Sequence, residues 1–267
     1  MSVGVVVDSA ANLPSSFVTE YGITVVPMSL AFGDRVYRDG VDLVPGDFYE
    51  MLASERTSVS TSGASAGDFA QTFAEVLALH DSVVCVTVAA GVSVTNASAT
   101  IAARGFDGRV RVVDSQSASM AEGFVALAAA SGQTLEDAVA RGVAAAGRSG
   151  LVATIETFEF LRRSGRVNAL QAFAATTIGV KPVFALRRGV VEQLARPRSR
   201  ARAIERLIAE IPEDAGQVAV VHAACESEAR ALASRLQGER GGDPLVAEFT
   251  PLMGAHTGPG LIGIAYL

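Results

Sequence analysis

An α/β fold, with a largely parallel or mixed sheet covered by helices, follows from three observations on this 267-residue chain. Short β-branched runs alternate with alanine-rich segments of helical period, the pattern of repeated βα units. Apolar residues make up 49% of the chain, which at this length suits one large or two modest buried cores. Glycine, proline and small polar residues punctuate the alternation at short intervals and leave no long linker. The one candidate seam lies near residues 149–155.

Val3 to Val7 reads as the first strand, followed by a helix starting near Pro14, with Asn12 or Ser15 as its cap region. Ile23 to Phe32 is strand-like, and Pro27 inside it points to an edge position or a bend. Gly33-Asp34-Arg35 turns the chain into a short strand at Val36-Tyr37. Pro45 to Ser54 and Ala66 to His80 read as helices, and Val83 to Val88 as a buried strand. Asn96 to Arg104 is helical, Val110 to Val113 a strand, and Met120 to Ala130 and Leu135 to Arg148 are helices. Leu151 to Thr154 restarts the alternation, and Thr157 to Arg163 forms a helix stopped at Gly165. Val183 to Leu186 and Val190 to Leu194 flank the hairpin signal Arg187-Arg188-Gly189. Arg200 to Glu210 and Ser227 to Gln237 are helices around the strand Val218 to Val221, and Leu245 to Phe249 and Leu261 to Tyr266 are the last strands.

The net charge of -6 is mild and gives no electrostatic case for nucleic acid or anionic lipid. Lys181 is the only lysine among 22 basic residues. Arg187-Arg188 and Arg196 to Arg206 are the most basic stretches, read as a solvated helix start or a binding patch. Cys85 and Cys225 sit in or beside apolar strands without CxxC or Cys-His spacing, as reduced core thiols do. No apolar stretch reaches transmembrane length, and the N-terminus lacks a basic leader pattern. A cytoplasmic protein without stable membrane insertion is therefore expected.

Three stretches have the composition of a ligand site. Gly254-Ala-His256-Thr257-Gly258-Pro259-Gly260 holds an imidazole on what reads as a tight loop before a buried strand. There it either meets a ligand or is solvated. Ser58-Val-Ser60-Thr61-Ser62-Gly63 reads as a loop between two helices. Ala89-Ala90-Gly91-Val92-Ser93-Val94-Thr95-Asn96 links a buried strand to a helix. Small hydroxyls at a helix N-terminus suit an anion, and they also serve as caps. Together with His256 and the Arg166 turn they suggest one anion-binding spot. Asp8-Ser9 and Asp114-Ser115 each close a strand, placed for capping and for ligand contact. No GxGxxG, GxxxxGK[ST] or Gly-x-Ser-x-Gly occurs. His80, His222 and His256 lack metal-ligand spacing, so neither a metal nor a cofactor is expected. The enzymatic alternative is a hydrolase or phosphotransferase with His256 as base and Ser93 or Ser9 as nucleophile.

Val5-Val-Val-Asp8-Ser9-Ala-Ala-Asn-Leu13-Pro14 resembles the opening of the DegV family, bacterial fatty-acid-binding proteins of the FakB type. Val26-Pro27-Met28, Tyr37-Arg-Asp-Gly40, Thr61-Ser62, Ser93-Val94-Thr95 and Val112-Val-Asp114-Ser115 follow in the family's order. Leu161-Arg-Arg-Ser-Gly165-Arg166-Val167, Val180-Lys181-Pro182-Val183 and His256-Thr-Gly-Pro-Gly260 complete a likeness that covers essentially the whole chain. The resemblance implies two α/β domains, here 1–150 and 151–267, with one long acyl chain in a tunnel near their interface. It implies that Thr61 and Ser93 bind the carboxylate, that His256 and Ser62 belong to the head-group network, and that Arg166 is the turn arginine. It further implies no catalysis by the chain itself. A separate fatty acid kinase would make an acyl phosphate that enters phospholipid synthesis. The sequence departs from the family where Val94 stands for the usual glycine of Ser-Gly-Thr, and Gly63-Ala64 for Gln-Pro. The valine is expected to narrow the approach to the head group or to change the helix start.

Overall fold

The computed structural model describes residues 2–54, 59–164 and 179–267. Strands β1 (Val3–Asp8), β2 (Ile23–Val26), β6 (Ser82–Thr87) and β7 (Val110–Asp114) form a parallel sheet ordered β2-β1-β6-β7. All but the first residue of β1 and of β6 are buried, as expected for parallel strands covered on both faces. Helices α3 (Ala66–Leu77) and α4 (Thr95–Ala103) pack on one face, and α5 (Met120–Ala130) and α6 (Leu135–Ala146) on the other.

A six-stranded mixed sheet follows, ordered β10-β9-β8-β13-β11-β12. Its members are β8 (Gly150–Thr154), β9 (Val183–Arg187), β10 (Val190–Ala195), β11 (Val218–His222), β12 (Leu245–Glu248) and β13 (Ile262–Tyr266). Only β11 and β12 pair in parallel. The β9–β10 turn takes left-handed conformations at Arg188 and Gly189 (φ 51° and 74°), matching the twist of a two-residue hairpin. Helices α8 (Arg200–Ala209) and α9 (Glu226–Arg240) cover the outer face.

Helix α5 explains how the two sheets join. It packs against β1 and β6 on one side and β8 and β13 on the other, and every residue from Met120 to Leu127 is buried. A helix buried all round is expected to be apolar all round, as this one is apart from Glu122, and its alanines let both sheets approach closely. One continuous apolar core therefore runs through α5 into both sheets.

A third, antiparallel sheet is ordered β4-β3-β5, from β3 (Ser29–Phe32), β4 (Arg35–Arg38) and β5 (Val59–Ser62). With α2 (Pro45–Ser54) and α10 (Pro251–Thr257) it encloses a small core of Leu30, Phe32, Leu43, Phe48 and Ala255. The remaining helices are α1 (Ser15–Glu20) and α7 (Glu159–Arg163).

The layered α/β architecture agrees with the sequence reading, and four local expectations are corrected. Ile23 to Phe32 is not one strand: Pro27, which cannot donate to a ladder, separates β2 from β3, and the two belong to different sheets. Thr61 and Ser62 lie on edge strand β5 rather than in a loop. His256 lies on a helix, which starts with Pro251 in its first turn and ends where Gly258 turns left-handed at φ 71°. Asn12 does not cap α1, whose N-cap is Pro14 without a side-chain bond. No helix among the described residues is long and apolar enough to cross a membrane.

Candidate functional site

The segment after β6 carries Ser93, and two carboxylates hold its base. Asp8 accepts from the Val88 N–H at 2.8 Å and Asp114 from the Ala90 N–H at 3.2 Å. The chain then enters α4, where Ser93 Oγ accepts from the Thr95 N–H at 3.2 Å and shares a hydrogen bond with Thr95 Oγ1 at 2.8 Å. Thr95 Oγ1 also lies 3.6 Å from the thioether of Met28. Val94 has helical dihedrals and is 72% exposed. Its side chain is exposed, and the backbone there has no need of glycine.

Strand β5 brings up the second hydroxyl. Pairing of Thr61 with Leu30 turns the threonine inward, while Ser62 is exposed at the rim. Gly63 follows because space runs out: a Cβ there would fall 2.6 Å from Thr95 Oγ1. This contact joins the Thr61-Ser62 strand to the Ser93 helix start. The third group arrives on α10, where His256 Nε2 lies 3.0 Å from Thr61 Oγ1. A Cβ on Gly258 would meet the Phe160 ring at 2.1 Å, so the end of α10 is packed directly on α7.

These side chains border one cavity of about 160 Å³. Thr61, Ser62, Ser93, His256 and Thr257 supply its polar end, and Met28, Leu161, Phe184, Leu186, Val191, Phe249, Leu252 and Leu261 are among its apolar liners. The liners come from the small and the mixed sheets, from α7 and α10, and from segments that follow the strands of the parallel sheet, so the cavity lies where the two halves of the chain meet. Thr61, Ser62, Ser93 and His256 are thus gathered into one place, although they are up to 195 residues apart. Arg166 lies outside the described residues.

Two larger surface clefts, of about 850 and 560 Å³, lie away from these groups, near Arg240 and near Arg148. His222 is buried on β11, 3.9 Å from Glu248, and burial holds its pKa below the usual histidine value. His80 follows α3 and packs near Gly4. Among the described residues no cluster of His, Cys, Asp and Glu could hold a metal ion. Cys85 and Cys225 are free thiols.

Beneath the Ser93 segment lies an acid pair the sequence reading missed. Asp8 and Glu122 are fully buried. Burial raises Asp8 to about 6, against hydrogen bonds from Val88 and Ala10 that favour its charged form. Glu122 is pushed well above the usual carboxyl range by burial and by the Asp8 charge, and finds no partner besides Asp8. Burial thus favours the neutral form of both acids, of Glu122 the more strongly. Glu122 sits in a run of alanines that reads as plain helix, so only the burial of α5 exposes its role. Thr95 reads as part of the candidate hydroxyl stretch and proves to be the first residue of α4, while Met28, which reads as strand, was missed.

Comparison with known proteins adds three findings. A family model described as the DegV family of uncharacterised proteins matches residues 2–267. A DegV domain-containing protein of Streptomyces coelicolor is 36% identical over 98% of this chain and 97% of its own length. Two solved structures superpose over the whole chain and 99% of their own. One is a fatty-acid-binding DegV family protein of Thermus thermophilus, with 32% identity and a TM-score of 0.87. The other is DegV of Bacillus subtilis, a fatty acid binding protein, with 27% identity and a TM-score of 0.91.

Proposed function

The chain belongs to the DegV family, and from that premise and the geometry of the cavity we propose that it binds a long-chain fatty acid and holds its carboxylate at the polar end. The observation that carries this reading is the meeting of Thr61, Ser93 and His256 at one end of an otherwise apolar cavity. Each buried methylene contributes about 0.8 kcal/mol, reduced by the ordering of the tail. The carboxylate must keep hydrogen-bond donors, since burying it unpaired costs several kcal/mol.

The hydroxyls are arranged to donate. Ser93 Oγ already accepts from the Thr95 N–H; when the Thr95 hydroxyl turns its single proton from Met28 Sδ to Ser93 Oγ, the Ser93 proton is left for the ligand. When His256 carries its proton on Nε2, it donates to Thr61 and frees the Thr61 proton in the same way. The cavity is smaller than the roughly 300–1,000 Å³ of pockets that enclose drug-sized ligands. Entry of a full acyl chain therefore requires the half-buried Phe184, Val191 and Met253 to move.

The remaining assignments are proposals on the same footing. Ser62, exposed at the rim, and Arg166 complete the head-group network. The chain divides at residues 150 and 151, where β8 begins the second large sheet. A separate fatty acid kinase converts the presented carboxylate to an acyl phosphate for phospholipid synthesis. Val94 and Ile101, 72% and 58% exposed on and beside α4, offer that partner apolar surface near the rim. The setting is the cytoplasm, in keeping with two free thiols.

Denaturing extraction and mass spectrometry of the purified protein should release a long-chain fatty acid, and affinity should rise along a series from butyrate to oleate. Protein that is empty and refuses every member would end the proposal. Thr61→Ala with Ser93→Ala should weaken binding about 100-fold, since each hydrogen bond to a charged group is worth about 1.5–3 kcal/mol. Ser93 and His256 border the same cavity, which favours a second reading, a hydrolase or phosphotransferase with His256 as base and Ser93 or Ser9 as nucleophile. Turnover of acyl esters or acyl phosphates that disappears in His256→Ala would establish it.

A further inference from the structure

Two motif residues have no part in the site as described: Asn12, after β1, and Asp39, in the Tyr37-Arg-Asp-Gly40 turn after β4. Both are buried, with 6% and 2% exposure, where a polar side chain is costly unless hydrogen-bonded. Their bonds converge on the start of α10. Asp39 Oδ1 accepts from the Leu252 N–H at 3.0 Å, and Asn12 Oδ1 accepts from the Thr250 N–H at 3.1 Å. Asn12 Nδ2 donates to the Glu248 carbonyl. Thr250, at the N-cap position, makes no side-chain cap bond. The Leu252 N–H in the first turn and the N–H of the N-cap residue Thr250 are thus satisfied from distant parts of the chain.

We propose that Asn12 and Asp39 are positioning residues for His256, clamping the N-terminus of α10 so that the imidazole in its last turn meets Thr61. The geometry closes on itself. Asp39 follows β4 and Thr61 lies on β5, and both strands pair with β3. One small sheet therefore carries both the clamp on the helix and the hydroxyl that the helix must reach. Leu252 and His256 are separated by four residues, or about 6 Å of helical rise. A tilt of about 10° at the clamp displaces the imidazole by about 1 Å, which breaks a hydrogen bond of this length. Asn12 fixes the other coordinate. It sits in a left-handed conformation (φ 58°) that asparagine tolerates better than most residues, and ties β12 and the helix start to the end of β1.

The consequence for affinity rests on the fatty-acid-binding reading, whereas the consequence for His256 is visible without ligand. The test measures palmitate affinity and the imidazole NMR signals of the full-length ligand-free protein, with the His256 signals assigned by their loss in His256→Gln. Asp39→Ala should lower affinity about tenfold and move the His256 signals toward those of Thr61→Ala, as expected for losing one charge-assisted hydrogen bond. Asp39→Asn keeps an acceptor for the Leu252 N–H and should restore most of both. Asn12→Ala should act in the same direction by about threefold. If Asp39→Ala does not fold, Asn12→Ala and the double comparison with Asp39→Asn decide. Variants that lower only the denaturation midpoint, with wild-type His256 signals, would overturn the clamp. Wild-type protein that does not bind palmitate would instead overturn the binding reading, with the His256 signals still deciding the clamp.

Discussion

Asp8-Ser9 and Asp114-Ser115 are the same dipeptide at the carboxyl ends of two strands of one sheet, and they perform the same hydrogen-bonding task. Each carboxylate closes its own turn, Asp8 from the Ala10 N–H at 2.9 Å and Asp114 from the Gln116 N–H at 2.8 Å. Each then reaches the segment after β6 that carries Ser93, one from either side. The difference lies in where the strands sit. β1 is inside the sheet and under α5, so Asp8 is fully buried and faces Glu122; β7 is at the edge, and Asp114 is half-buried. One carboxylate is thereby raised to about 6, by burial above all. The same residue type at the same motif position thus carries a different cost of ionisation, set by its neighbours.

The comparison breaks most visibly at Asp8. Asp8→Ala leaves the Ala10 and Val88 N–H groups unpaired in the interior and should destabilise the protein by roughly 2–5 kcal/mol, read from urea unfolding. Glu122→Gln sharpens it next. Both acids have folded pKa values above their unfolded ones, so the unfolded chain releases protons first as pH rises. Wild-type stability should therefore fall from about pH 4 through Asp8's value near 6 and continue to fall while Glu122 holds its proton. Gln removes the Glu122 contribution and leaves that of Asp8, so unfolding midpoints of the Gln variant should fall less steeply over that window and level off above about pH 6. An unchanged slope would separate the pair from the pH response. The smallest effect belongs to Asp114→Ala, about 1 kcal/mol or less in stability because water reaches its partners. Fatty acid affinity should fall about threefold with it as the Ser93 segment loosens.

The sequence revealed the large sheets well and the small one poorly, for a physical reason. β1, β6, β8, β11 and β13 are interior strands whose every exposed face is covered, so their runs of Val, Ile and Ala are unbroken and bounded by turn residues. β5, Val59-Ser-Thr-Ser62, has one apolar residue in four and owes its strand state to pairing with β3. Its hydroxyls, which read as a loop, serve the site because they lie on an edge. Pro251 and Gly258 do mark the bounds of α10. Three glycines within the same stretch outweighed them, and Gly254 proves to be a close approach to Tyr49 on α2.

For the site, the chemistry was legible and the distances were not. Hydroxyls, a histidine and an apolar composition identify themselves in the chain, since residue type fixes what a side chain can donate or accept. Which of the six serines and threonines in the two hydroxyl stretches would meet, Thr61 with His256 and Ser93 with Thr95, depends on strand register and on a helix clamped by Asn12 and Asp39. Sequence alone settled the α/β layers and the order of most elements, because local periodicity and turn chemistry act over a few residues. Tertiary packing alone decided the bond between Thr61 and His256, the place of Ser93 on the same cavity, and the burial of Asp8 with Glu122. Those follow from contacts between segments that only burial of a common core brings together.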